Sequence, residues 1–306
     1  MYDLIIIGGG PGGLCAGIYA QRSRLKTVML ERELVGGQIA RSDVIENYPG
    51  FPSISGMGLM EKFEEHARGL DLDIKMAEVR SVTLDGNTKV VKTTEGDMTA
   101  KAVIVASGAK PRMLGVPGEK ELFGRGVSYC ATCDGPFFRD QEVMVVGGGD
   151  TAVKESLFLT KMVKKLYLVH RRDQFRAEKM HQEKAEASDR IEFLRSHLLK
   201  EIKGDATGVV FATVHDLKTE KTREIAIQGI FIFVGIDPIT GFIDVEKDER
   251  GFIKTNGRME TSMPGVYAVG DCRTTPLLQV ATAVGDGAIA AFMADKFVED
   301  FSEGKG

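Results

Sequence analysis

Cys130 and Cys133 stand three residues apart in the stretch VSYCATCDGPFF and are two of only four cysteines in the 306-residue chain. A close pair of this kind can be half of a zinc site, a structural staple, or a dithiol that opens and closes as electrons pass. A structural zinc site wants four ligands, usually two close pairs. Cys15 and Cys272 are solitary and the five histidines are scattered, so no metal is expected. A staple across so small a loop removes little unfolded-chain entropy, and a reducing compartment would tend to open it. What remains is a redox dithiol, whose Cys-x-x-Cys spacing spans one turn and often lowers a thiol pKa. Asp134 follows directly, where it could shuttle a proton to a leaving thiolate. Pro136 bars a long helix, so the pair is expected at a turn or a short helix start. Phe137 and Phe138 offer either an apolar docking patch or core side chains.

A dithiol needs a source of electrons, and the sequence writes one kind of cradle twice. DLIIIGGGPGGLCAGIYAQRSRLKTVMLERE, from Asp3, aligns without a gap on EVMVVGGGDTAVKESLFLTKMVKKLYLVHRR, from Glu142, at an offset of 139 residues. Each copy reads as strand, glycine turn, helix, strand. Gly8, Gly10 and Gly13 satisfy G-x-G-x-x-G, and Gly147, Gly149 and Ala152 give the G-x-G-x-x-A variant. The first glycine permits the tight turn, the second lets backbone approach a pyrophosphate, and the small third residue lets helix and strand pack. A diphosphate then sits at a helix N-terminus, where free N–H groups and the macrodipole favour negative charge.

The two copies differ at the end of the second strand. The first ends in Glu31, 18 residues after Gly13, where an acid is expected to accept from ribose hydroxyls. The second has His170 in register, followed by Arg171, Arg172 and, a turn beyond, Arg176. A carboxylate there would repel a 2′-phosphate, whereas arginines would bind it through their planar forks. The first cradle is therefore expected to hold a free-ribose adenosine and the second a 2′-phosphorylated one, with Gly149, Asp150 and Thr151 at its turn. Two dinucleotide sites in one chain imply a relay, in which a tightly held flavin receives the hydride of a diffusing nicotinamide cofactor.

The elements around these residues follow from length and pattern. A chain of this length suits two domains. The reading is α/β, with two Rossmann-like dinucleotide-binding domains, the second inserted into the first. The first domain takes residues 1–112 and 241–306 and the second, carrying the cysteine pair, residues 113–240. Both are expected to hold parallel sheets, with ligands at the carboxyl ends of strands. The net charge of -4 argues against a nucleic-acid surface. No apolar run approaches a membrane helix and the start MYDLIIIGGG lacks a signal peptide's basic n-region, so a cytoplasmic protein is expected.

In order along the chain, the first glycine fingerprint, GGQ at Gly36 to Gln38, ENYPGFP at Glu46 to Pro52, CATCD, GGGDTAV, HRRDQFRA and GVYAVGDC resemble the low-molecular-weight thioredoxin reductase family over essentially the whole length. The resemblance implies FAD lined by Gly8, Gly10, Gly13, Glu31, Gln38, Asn47, Gly270, Asp271 and Gln279, with the small-residue helix from about Gln279 aimed at it. It implies NADPH held by Gly149, Asp150, Thr151, His170, Arg171, Arg172 and Arg176. It also implies Cys133 as the sulfur nearer the flavin, thioredoxin as the disulfide partner, a homodimer, and rotation of the second domain between two orientations. Which cysteine attacks the partner first stays open. The family usually has Arg-Gln where this chain has Leu278-Gln279, which puts flavin tuning in question, and Ser107 replaces a more usual Thr while keeping its hydroxyl.

Overall fold

The computed structural model describes residues 1–41 and 45–302. The chain forms two compact units, Met1–Lys110 with Asp237–Gly306, and Pro111–Ile236. The crossings fall within a few residues of the Gly/Pro-containing stretches SGAKPRMLG and GIDPITG.

In the first unit the strands run in the order Asp73–Met76, Thr27–Glu31, Tyr2–Ile7, Gly96–Val105, Thr88–Thr93, Val79–Asp85, with Val266–Ala268 also paired to Gly96–Val105. Leu4, Ile5 and Ile6 are wholly buried, because layers cover both faces of the central strand; this is why its sequence is a continuous apolar run rather than an alternation. Leu4 and Ile6 join one core with Leu14, Ala16 and Ala290, while Ile5 and Ile7 join another with Val28, Val91 and Val266. Helices Pro11–Arg22 and Val280–Ser302 pack so closely that a Cβ on Gly287 would lie 2.2 Å from the Gly12 carbonyl oxygen. The small residues of the second helix are thus a requirement of backbone approach.

The second unit has a parallel sheet in the order Ile191–Arg195, Lys165–His170, Glu142–Gly147, Gly229–Phe233, Val127–Ser128. The repeat is structural as well as sequential. Strand, helix and strand at Tyr2–Ile7, Pro11–Arg22 and Thr27–Glu31 return at Glu142–Gly147, Asp150–Leu159 and Lys165–His170.

Parallel pairing does not account for every strand. Val79–Asp85, Thr88–Thr93 and Gly96–Val105 form an antiparallel meander on the edge of the first sheet. His197–Asp205, Gly208–Asp216 and Thr222–Ala226 form a separate antiparallel sheet. The signal lies in short alternating runs joined by turn residues: Gly86, at φ 57°, opens the two-residue loop between Asp85 and Thr88. Among the described residues, no helix is long and apolar enough to cross a membrane.

Candidate functional site

In the first unit, Gly8 adopts φ +107°, and a Cβ there would lie 2.3 Å from the Ala106 carbonyl oxygen. A Cβ on Gly13 would lie 2.0 Å from the Gly8 carbonyl oxygen. Both positions admit only glycine without backbone movement. Gly10 caps the helix that starts at Pro11. The Gly9 N–H donates to Glu31 Oε2 at 2.7 Å, and Glu31 Oε1 accepts from the backbone of Arg32 and Glu33. The carboxylate at the end of the second strand is therefore fixed beside the glycine turn. The GGQ segment docks on the same turn, since the Gly36 N–H donates to the Gly9 carbonyl at 2.7 Å. Gln38 lies in the 3-10 turn Gly37–Arg41 that follows.

Residues far apart in sequence converge here. Asn47 Nδ2 donates to Gln279 Oε1 at 3.0 Å across 232 positions. Gly270, at φ +66°, donates its N–H to Asp286 Oδ2 at 3.0 Å. Asp286 also receives Arg273 through Nε at 2.8 Å and Nη2 at 3.1 Å, both side chains being largely buried. Asp271 follows Gly270 and has no hydrogen-bond partner among the described residues. Burial, with Asp286 nearby, pushes its carboxyl up to about 6. An acceptor so placed and unpaired, beside a turn with no room for Cβ atoms, fits a nucleotide with ribose or ribityl hydroxyls to donate. Leu278 is partly buried. Ser107 Oγ donates to the Ile239 carbonyl at 2.6 Å, so the hydroxyl is used in the fold. Cys15 and Cys272 are buried and free, with burial pushing each thiol up to about 11.

In the second unit, a Cβ on Gly147 would lie 2.5 Å from the Phe233 carbonyl oxygen and 2.6 Å from Ala152 Cβ. Gly149 caps the helix Asp150–Leu159. The Arg176 N–H donates to the Gly148 carbonyl at 2.7 Å, and the Glu178 N–H to Asp150 Oδ1 at 2.8 Å. The basic loop is thereby tied to the glycine turn and to the first residue of its helix. Arg171, Arg172 and Arg176 are exposed and pair with no carboxylate among the described residues. Three uncompensated cations at a glycine turn fit a ligand that brings a phosphate beyond the diphosphate.

His170 is not beside them at the surface. It is 6% exposed, its ring stacks on Phe175 with centroids 5.3 Å apart, and a Cβ on Gly148 would strike that ring at 2.2 Å. Burial first, then the charges of Arg176, Arg172 and Arg171, lower its pKa, and Nε2 is buried without a partner. The ring serves as the floor of the turn, and the arginines carry the charge.

The cysteine pair lies in the same unit. Cys130 and Cys133 form a disulfide with Cα atoms 5.3 Å apart. Cys130 caps the short helix Ala131–Asp134, and the 3-10 turn Gly135–Phe138 follows, where Pro136 ends regular helix. Asp134 accepts a 2.5 Å hydrogen bond from the Ser128 hydroxyl. Phe137 is exposed, whereas Phe138 packs edge-on against Phe231 at 5.4 Å and fills the space beside Gly229. Of the two aromatic residues, only Phe137 is left for a docking surface.

One group of residues beside the pair carried little sequence signal. The Glu119 carboxylate is fully buried and accepts from the N–H groups of Leu114 and Gly115, at 2.9 Å and 2.6 Å, and from the Tyr129 hydroxyl at 2.8 Å. Burial and the adjacent Glu119 push the Tyr129 phenol up. Only an acid within the turn-rich GVPGEK hints at it, since buried carboxylates need such donors.

Comparison with known proteins agrees with this architecture. A family profile described as pyridine nucleotide-disulphide oxidoreductase matches residues 2–287. A thioredoxin reductase of Peptoclostridium litorale is 45% identical over 312 residues, covering 98% of each chain. One of Bacillus subtilis is 44% identical, covering 99% of this chain and 96% of that one. The crystal structure of a thioredoxin reductase from Streptococcus pyogenes is similar with a TM-score of 0.93 at 44% identity, over 98% of this chain and 99% of that one. The chain belongs to the pyridine nucleotide-disulphide oxidoreductase family, in its thioredoxin reductase branch.

Proposed function

We propose that the protein is an NADPH-dependent flavoprotein disulfide reductase that reduces thioredoxin through the Cys130–Cys133 disulfide. The observation that carries this reading is that the disulfide and a glycine turn ringed by three unpaired arginines belong to one folding unit. FAD would occupy the first unit, held by Gly8, Gly10, Gly13, Glu31, Gln38, Asn47, Gly270, Asp271 and Gln279. NADPH would occupy the second, at Gly149, Asp150 and Thr151, with Arg171, Arg172 and Arg176 on its 2′-phosphate and His170 beneath the turn. When bound, the flavin supplies two-electron transfer between a nicotinamide and a disulfide.

The remaining chemistry belongs to the chain. Two electrons and two protons convert the Cys130–Cys133 bond to two thiols. One, as thiolate, attacks the partner's disulfide; a mixed disulfide forms and a partner thiolate leaves and is protonated. The other cysteine displaces the second partner sulfur, which restores the Cys130–Cys133 bond. Asp134 would give and take those protons. The sum is NADPH, a proton and a disulfide giving NADP+ and a dithiol.

The chain is further read as a cytoplasmic homodimer. The helices Pro11–Arg22 and Val280–Ser302 lie side by side from Gly12 against Gly287 to the Ser23–Asp295 hydrogen bond, and along them Tyr19, Ile289 and Phe292 are exposed. An apolar stripe of this kind suits burial against a second copy.

The test is anaerobic addition of NADPH to the purified yellow protein, followed by turnover with thioredoxin and with a disulfide dye. Flavin bleaching, the appearance of two thiols per chain and preference for NADPH over NADH are expected. A colourless protein after reconstitution, or full turnover with both cysteines replaced by serine, would falsify the reading.

A further inference from the structure

Ser128 is 2% exposed and lies at the end of strand Val127–Ser128, where Phe231 is its register partner in the parallel sheet. Its backbone is therefore fixed by the sheet, six residues before Asp134. Its hydroxyl contacts three groups that bracket the cysteine pair. Oγ lies 2.5 Å from Asp134 Oδ2 and 3.3 Å from the Cys130 carbonyl, and it accepts the Cys130 N–H at 3.0 Å. A hydroxyl has one proton to give and two lone pairs. The Cys130 N–H takes a lone pair, and the shorter contact places the proton on the line to Asp134. The result is a chain of donors from Cys130 N–H through Ser128 O–H to a carboxylate. The Asp134 N–H closes the loop on the Cys130 carbonyl at 3.1 Å.

We infer that Ser128 is a positioning residue for the disulfide chemistry: it holds the Asp134 carboxylate in register with Cys130 and Cys133 and sets the pH at which that carboxylate gives up its proton. The inference rests on the disulfide reductase reading of this site. Its physical basis is that a hydrogen bond donated to the ionised form of an acid favours that form. Opening the disulfide consumes two protons along with two electrons, and closing it releases them. A carboxylate tied to the backbone of Cys130 through one buried hydroxyl is held next to that traffic by a fixed strand, whatever the state of the sulfur bond.

Four other charged groups lie around the short helix. Of those on the helix Asp150–Leu159 packed against it, Asp150 and Lys154 are exposed. Glu155 is half-buried, its carboxyl pushed up by burial and its Oε2 without a partner. Arg139, just beyond the Gly135–Phe138 turn, is exposed. Among the described residues, none of these four makes a hydrogen bond to either cysteine.

The test uses the whole protein equilibrated in dithiothreitol redox buffers across a pH series, with thiols counted after quenching, so that the readout needs neither NADPH nor turnover. In Ser128→Ala the acid-side inflection of the disulfide midpoint is expected to move up by about one pH unit, a tenfold change in proton affinity. Ser128→Thr, which keeps the hydroxyl, should follow the wild type. In an Asp134→Asn background Ser128→Ala should change nothing further. The rate at which NADPH bleaches the flavin should stay within about twofold in Ser128→Thr. Ser128→Gly also deletes the hydroxyl without adding bulk and serves if the alanine variant does not fold. A Ser128→Ala curve superimposed on the wild type, a threonine variant as shifted as alanine, or an equal shift without Asp134 would overturn the inference. If instead NADPH fails to open the wild-type disulfide while the dithiothreitol series still separates the variants, it is the disulfide reductase reading that falls.

Discussion

In the proposed reading, Asp271 would set flavin retention against the stability of the polypeptide. Its carboxyl is pushed up to about 6 by burial and then by Asp286, whereas the unfolded chain ionises it near 3.9. Below about pH 4 both states are protonated and the residue costs nothing. Between about pH 4 and 6 the unfolded state ionises first, so stability falls as pH rises. Above about pH 6 the folded state must carry the charge and the cost is fully present. A gap of about two units, at ~1.4 kcal/mol each, makes that cost on the order of 3 kcal/mol. Arg273 does not offset it, because its Nε and Nη2 are bound to Asp286. Flavin-free Asp271→Asn should therefore match the wild type near pH 4 and exceed it by ~2–3 kcal/mol at pH 8. With FAD that advantage should shrink by ~1.4 kcal/mol or more, since the amide is a weaker acceptor for ribose or ribityl hydroxyls, and loss of one charge-assisted hydrogen bond weakens binding about tenfold or more. Urea unfolding of the flavin-free proteins at both pH values, with fluorescence titration of FAD, measures both effects. Equal midpoint differences at the two pH values, or a variant less stable at pH 8, would refute the reasoning.

Replacing Arg171 and Arg176 together by alanine should lower kcat/KM for NADPH by ~10–100-fold, about 1–3 kcal/mol for exposed charge-assisted contacts, and leave NADH within about twofold; equal losses with both cofactors would remove the arginines from cofactor choice. Gly13→Ala places a Cβ 2.0 Å from the Gly8 carbonyl oxygen, so the variant should lose its flavin and melt several degrees lower, and a fully yellow, equally stable product would contradict the turn geometry. Cys130→Ser and Cys133→Ser should each keep NADPH-dependent bleaching of the flavin while disulfide turnover falls below about 1%; turnover in either variant would place the exchange elsewhere.

What could be read from the sequence was whatever a local pattern enforces. The four-residue apolar runs before each glycine triplet specify strands covered on both faces, and they are interior strands of the two main sheets, paired in parallel with both neighbours. Pro136 limits helix after the cysteines, and regular helix ends at Asp134. Residues paired only by the fold left no such trace. Asp286 sits in a helix of small residues and reads as a solvated acid, yet it is buried against Gly270 and Arg273 from another segment. Glu119 and Tyr129 read as a turn acid and a strand aromatic, and only the close approach of two loops pairs them. Ser128 is one serine in a short strand, and its importance comes from a register that no spacing rule supplies. The antiparallel meanders were missed because runs of five to ten residues interrupted by Gly-Asn or Thr-Gly look like loops between longer periodic segments.

On the proposed assignment, the two cradles turn one design to two ligands. Glu31 and His170 occupy the same repeat position, and each reaches the second glycine of its turn: Glu31 accepts the Gly9 N–H, while the His170 ring lies where a Cβ of Gly148 would be. Gly148 is Gly9 displaced by the repeat length of 139. In the first copy this contact fixes a negative charge at the edge of the turn, where a ribose with free hydroxyls can donate to it and a phosphate would be repelled. In the second it places an uncharged, buried ring beneath the turn, so no carboxylate opposes a phosphate there. The positive charge then comes from the following loop, whose Arg176 backbone is tied to the Gly148 carbonyl. In the proposed reading, discrimination would be divided between removal of an acid at one position and delivery of cations from the next segment. Exchanging Glu31 and His170 alone should therefore damage both turns without exchanging their ligands, because the arginine loop would remain with the second copy.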